Sequence, residues 1–215
     1  MPSANVINAT YSYIVSQLKP PDESPKHASA EITRPFVTIS RETGAGGTTV
    51  GERLVDYLNE KESESEVKWA LFDKNLIEKV IEEHNLPEAF RNFLTEQKVS
   101  EIQDTFEQLM GVHPGISRLA RKSCNTIINL ASLGKVVIIG RGANILTRGL
   151  PGGFHVRLIA ELKWKIRHVS AHYKLSKKEA IKFIEEEDMR RKNYVKKLFN
   201  KKVENPLMYN MVINT

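Results

Sequence analysis

Three of the glycines in one short stretch carry the first chemical signal in this chain. In Phe36 to Leu58, FVTISRETGAGGTTVGERLVDYL, they are Gly44, Gly46 and Gly47. The run Phe36, Val37 and Ile39 before them predicts a buried β-strand, and Val50, Leu54, Val55 and Leu58 after them fall on one face of a helix. Strand, glycine turn and helix N-terminus make a cradle for an anion: backbone approaches the ligand without a Cβ, and the free N–H groups and the helix dipole point at it. Ala45, Thr48 and Thr49 complete the stretch. Set against the phosphate-loop pattern G-x-x-x-x-G-K-[ST], one register fits. It places Arg41 at the first glycine, Gly46 at the second, Gly47 at the lysine and Thr48 at the hydroxyl. The lysine is missing.

Two further positions could take part in the same chemistry. Asp73 ends the apolar run Val67 to Phe72, where it reads equally as a cap for a helix over 74–84 and as an acid at the carboxyl end of a strand, where open α/β sheets keep their ligands. Arg141 sits between Gly140 and Gly142 just past the β-branched run Val136 to Ile139. Such an arginine is expected to be exposed, either as part of a plain turn or as a clamp whose guanidinium matches phosphate oxygens in a bidentate way.

The elements that must hold these residues follow from periodicity. Strands are expected at 36–39, 67–72, 136–139, 154–159 and 209–213, and helices at 5–18, 48–58, 74–84, 88–110, 116–133, 161–173 and from Ser176 to about Leu198. Ser176 and Glu179 have the spacing of a capping box. The alternation predicts an α/β fold, a mostly parallel sheet with helices on both faces. Pro20, Pro21, Pro25 and Pro35 mark 19–35 as a linker, so residues 1–35 read as an appendage and 36–215 as the domain.

Composition sets the bounds. The chain has 215 residues, 40% hydrophobic and 27% charged, enough for one α/β domain with a small lobe. A single cysteine, Cys124, excludes an internal disulfide and a cysteine-based metal site and fits a reducing cytosol. The N-terminus lacks the basic start and apolar core of a secretory signal, and no apolar run approaches the length of a membrane span, so a cytoplasmic protein without a membrane partner is expected. The net charge of +6 is unevenly spread: residues 157–202 hold 15 Lys and Arg against 6 Asp and Glu, and the rest of the chain holds 17 against 20. A basic C-terminal third points to a polyanion. Its helices lack interleaved aromatics, which ranks nucleic acid low as the partner. A dinucleotide site ranks low as well, because Thr49 stands where the third glycine of G-x-G-x-x-G belongs.

Taken in order, the stretches VTISRETGAGG (37–47), ALFDKNLIEKVI (70–81), VVIIGRGAN (136–144), VRLIAELKWKIRHV (156–169), EEEDMRRKNYVKKLF (185–199) and NPLMYNMVINT (205–215) resemble the cytidylate kinase-like branch of the P-loop nucleoside monophosphate kinases. The resemblance covers residue 36 to the end and is compatible with further residues past Thr215. It implies a P-loop nucleoside monophosphate kinase-like fold with a helical lid at about 160–200, ATP or GTP as donor with Mg²⁺, and a small phosphorylated acceptor. Residues 44–49 would hold the donor phosphates and Thr48 the Mg²⁺. Asp73 and Arg141 would meet the acceptor. Arg167, Arg190 and Arg191, grouped with Asp188, would belong to the lid closing over the transferring group. Arg41 is placed to swing a guanidinium into the gap left by the lysine. Gly142-Ala143 replaces the aspartate usual after the GR pair of cytidylate kinases, which leaves the acceptor base open. The expectation is an ATP-dependent phosphotransferase, with a catalytically weakened nucleotide-binding regulator or scaffold on the same fold as the alternative. A homodimer and a monomer are both compatible with it.

Overall fold

The computed structural model describes residues 12–13, 34–65, 67–78 and 118–215. Five parallel strands form one sheet in the order β2-β3-β1-β4-β5. They are β1 (Phe36–Arg41), β2 (Ala70–Phe72), β3 (Val136–Ile139), β4 (Gly153–Ile159) and β5 (Met211–Asn214). The central strand β1 runs two residues further than its apolar run suggested, because Ser40 and Arg41 continue the register with β4, opposite Arg157 and Leu158. That extension puts Arg41 at the sheet's carboxyl edge. The strand expected at 67–72 is shortened to three residues, and that expected at 209–213 moves to 211–214 behind a 3₁₀ turn, Pro206–Met208.

Helices cover both faces. On one side α1 (Gly47–Lys61) packs through Val55 onto Ile39, Leu71, Val137 and Ile139. Gly51 makes the approach close: a Cβ there would lie 2.8 Å from Leu71 Cδ1 and 2.9 Å from Ile139 Cδ1. On the other side α2 (Arg118–Leu133) lays Cys124, Ile127, Ile128 and Leu130 on Phe36, Phe72, Val136 and Ile138, with Val195, Leu198 and Phe199 beside them. Cys124 is fully buried and its pKa is pushed up to about 12 by that burial, which fits a packing residue. Tyr13 joins this core, its ring edge-on to Phe72 and its hydroxyl donating to the Gly134 carbonyl at 2.5 Å.

The short α3 (Ala143–Leu146) follows β3, while α4 (Leu162–Tyr173) and α5 (Lys177–Phe199) form a pair between β4 and β5. That pair has its own small core of Val169, Ala180 and Ile184. The capping box forms as the spacing required: Ser176 Oγ accepts from Glu179 N at 3.3 Å and Glu179 Oε2 accepts from Ser176 N at 2.8 Å. No helix among the described residues is long and apolar enough to cross a membrane. Apart from residues 12–13 the expected helix at 5–18 lies outside the described residues, as do most of the linker, the helix at 88–110 and the remainder of 74–84 beyond its first turn.

Candidate functional site

Open parallel sheets gather ligands at the carboxyl ends of their central strands, and three loops meet there. The first, residues 42–46, joins β1 to α1. Gly46 takes the left-handed conformation (φ 70°) and caps α1 without a side chain, so the helix begins on bare backbone. Val50 N is the first to close a helical bond, onto Gly46 O at 2.9 Å; the N–H groups of Gly46, Gly47, Thr48 and Thr49 have no acceptor among the described residues. Ala45 departs from the expected set. It is buried and its N–H donates to Glu42 O at 3.3 Å, so the turn itself uses that donor.

Arg41 fills the place of the missing lysine and extends beyond it. A Cβ on Gly47 would sit 2.8 Å from Arg41 Cγ, so the aliphatic stem of the arginine lies where a side chain at 47 would start. The guanidinium continues to Gly140, whose Cα surface it touches through Nη1. Glycine at 47 and arginine at 41 are therefore one steric arrangement: a lysine at 47 and this rotamer of Arg41 exclude each other. Burial, with Arg191 nearby, lowers the Arg41 pKa to about 10 against the pull of Asp73, Asp188 and Glu187, which leaves it cationic at neutral pH.

The second loop, after β3, presents side chains. Arg141 has positive φ (55°) between two left-handed glycines, which turns it back toward the domain. Its side chain is 19% exposed, bound to the Glu78 carboxylate and stacked over Tyr194 at 5.5 Å. The expected open guanidinium is thus a mostly covered one, with Glu78 and Tyr194 against it. Arg141 Nε and the Asn144 amide nitrogen are buried without a hydrogen-bond partner among the described residues. Asp73 acts as the cap that was one of its two readings, Oδ1 accepting from Leu76 N at 2.9 Å.

The α4–α5 pair supplies the third group. Asp188 Oδ1 accepts from Thr43 N at 2.7 Å and Thr43 Oγ1 at 2.6 Å, while Oδ2 faces Lys165 Nζ at 3.0 Å. Lys165 also reaches Glu42 at 3.1 Å and is 10% exposed. Burial pushes the Asp188 pKa up, but the Thr43 and Lys165 hydrogen bonds outweigh it and hold the carboxyl below its usual value. Arg191 donates to Thr43 Oγ1 and pairs with Asp188 at 3.1 Å. Lys165 also explains Gly44: a Cβ there would meet the Lys165 carbonyl oxygen at 2.8 Å. The pair is latched onto the glycine loop through residues 145 apart in sequence, a relation no local pattern reveals.

These parts enclose a cavity of about 420 Å³ lined by eight basic and three acidic side chains. Arg41, Arg141, Arg190 and Arg191 line it, joined by Lys165, Arg157 and Asn144, which sequence reasoning did not single out. A buried basic residue inside a strand was the available signal for Arg157. Arg167 is not brought to the cavity; it lies on the exposed face of α4, its guanidinium over Trp164 at 5.5 Å. The residues 44–49 border the loop and not the cavity wall. Among the described residues no group of three His, Cys, Asp or Glu side chains is placed for a metal. The free N–H groups and the exposed Thr48 fit a nucleotide phosphate with its ion, held chiefly through the phosphates.

Among solved structures, an uncharacterized protein from Eubacterium ventriosum is similar in fold, with a TM-score of 0.59 at 20% identity over 84% of this chain and 88% of that one. A shikimate kinase from Bacteroides thetaiotaomicron gives a TM-score of 0.43 at 18% identity, covering 84% and 85%. TT1252 from Thermus thermophilus gives 0.41 at 15%, covering 85% and 88%. Curated protein sequences give no match. The model of the cytidylate kinase-like family matches residues 36–215. That match starts on the first residue of β1 and leaves no strand of the sheet and no wall of the cavity outside it, so the chain belongs to the cytidylate kinase-like family.

Proposed function

We propose that this kinase-like nucleotide-binding protein transfers a phosphoryl group from ATP or GTP to a nucleoside monophosphate or a similar small phosphorylated acceptor. The observation that carries the reading is Arg41, whose stem replaces a side chain at 47 and whose guanidinium ends between the two glycine turns. Phosphoryl transfer needs positioning and cations against oxygen charge more than covalent help. The N–H groups of Gly46 to Thr49 would hold the donor phosphates, and Arg141 with Asp73 would meet the acceptor. Thr48 would ligate Mg²⁺, which when bound neutralises charge on the phosphate oxygens. Arg190 and Arg191 stand at the rim from α5, and their closure excludes water as a competing acceptor.

The test is release of ADP from ATP against a panel of monophosphates, with and without Mg²⁺. Turnover with at least one acceptor, lowered about 100-fold or more in Arg41→Ala, supports the reading; nucleotide binding without transfer to any acceptor overturns it. One observation favours a second reading, a nucleotide-binding regulator without transfer. The α5 cations are already matched by acids, Arg190 by Glu187 at 2.5 Å and Arg191 by Asp188 at 3.1 Å.

A further inference from the structure

The cavity has two cationic ends. Arg141 lies just past β3 and Arg157 lies in β4, on opposite sides of β1. Ile139 is level with Ile39 and Arg157 with Ser40, so the two arginines stand at nearly the same height along the strands. Two strand spacings put their backbones about 10 Å apart. At the Arg141 end, Arg141 Nε and the Asn144 amide nitrogen are buried donors without partners among the described residues.

The Arg157 end is also incompletely satisfied. Its side chain is 6% exposed, yet among the described residues a guanidinium with five N–H donors makes one hydrogen bond, to Ser40 Oγ at 3.2 Å. Glu42 approaches only to 3.7 Å, and the same carboxylate serves Lys165 at 3.1 Å. Tyr209 supports the guanidinium from its ring face at 5.8 Å and donates to Val203 O at 2.8 Å, which fixes the ring. A buried guanidinium braced on two sides and short of acceptors is a receptor for an oxyanion.

We propose that the acceptor carries two anionic groups, a phosphate received by Arg141 and Asn144 and a second oxyanion, carboxylate or phosphate, received by Arg157 and Ser40. This rests on reading the cavity as the acceptor site and names the class of acceptor it takes. A nucleoside monophosphate, with a neutral base at its far end, leaves Arg157 unanswered.

Calorimetric titration of the full chain tests this with phosphonoacetate, 3-phosphonopropionate and 4-phosphonobutyrate, each against its carboxyl methyl ester. At least one acid is expected to bind about tenfold or more tightly than its ester, the scale of one charge-assisted hydrogen bond. In Arg157→Met that preference falls below about twofold while ester affinity holds, and Arg157→Lys restores part of it. Arg157→Lys and Ser40→Ala carry the comparison if the methionine variant melts early. No preference at any length overturns the proposal, as does a preference surviving in Arg157→Met, or cytidine monophosphate binding more tightly than every acid. ADP release separates the two readings. Acid preference without transfer to any acceptor leaves the two-ended site standing and removes the kinase reading; transfer to nucleoside monophosphates without acid preference does the reverse.

Discussion

Two glycine turns at the carboxyl ends of neighbouring strands share nearly the same backbone. Gly44 and Gly46 have φ of 83° and 70°; Gly140 and Gly142 have 81° and 69°. Each pair ends at the N-terminus of a helix capped by a left-handed glycine. What they offer is opposite. The first leads a 15-residue helix and shows free N–H groups with neutral side chains, and the second leads a four-residue helix and shows buried side-chain donors on Arg141 and Asn144. One turn offers donors from its backbone, the other from its side chains. Arg41 spans the two.

The largest effect is expected from disturbing the first turn. Gly47→Lys drives a side chain into Arg41 Cγ, 2.8 Å from the new Cβ. It should lower stability by about 1–3 kcal/mol and weaken ATP binding, read by thermal melting and calorimetry. The double variant Arg41→Gly, Gly47→Lys should recover both, since it removes the clash and returns a cation to the loop. Recovery marks the two residues as an exchanged pair; failure shows that Arg41 does something a loop lysine cannot.

The latch comes next. Asp188→Asn removes the charge that holds Lys165, Thr43 and Arg191, and should destabilise the fold by about 1–3 kcal/mol in urea. Its pH signature is specific. The carboxyl is lowered in the folded state, so its contribution is complete above the unperturbed 3.8 and is lost as pH falls through the lower folded value. Acid melting curves of the wild type and Asp188→Asn should therefore converge at low pH.

A smaller effect separates the second turn from its scaffold. Asn144→Leu removes an unpartnered amide and should change stability by less than about 1 kcal/mol, while the acceptor's KM rises about tenfold. The smallest concerns the sheet beneath both turns. His155, buried against Thr38 at 2.8 Å, has its pKa lowered by burial and by Arg148. The unfolded chain takes up that proton first, so stability falls as pH drops below 6.5, and His155→Gln should flatten this slope in melting scans.

Much of the frame was legible because it rests on local rules. The run Val136–Ile139 forms a strand at the bounds its β-branched residues suggested, and Ser176 with Glu179 closes the box its spacing required. The glycine cradle followed from composition. The cavity did not, because it is built by pairs far apart in the chain, Thr43 with Asp188 and Arg157 with Ser40. Arg167 shows the opposite failure. On the helix that carries Lys165, it turns its side chain to solvent, since periodicity gives a helix but not which stripe of it faces the cavity.

Tyr13 moves a boundary. It lies outside the family match yet is 3% exposed, with its ring against Phe72, the residue before Asp73. A fragment trimmed to 36–215 would lose that ring from the middle of its larger core and leave a hole behind the strand that carries Asp73. The larger core of this protein therefore draws on a side chain that lies before the family match.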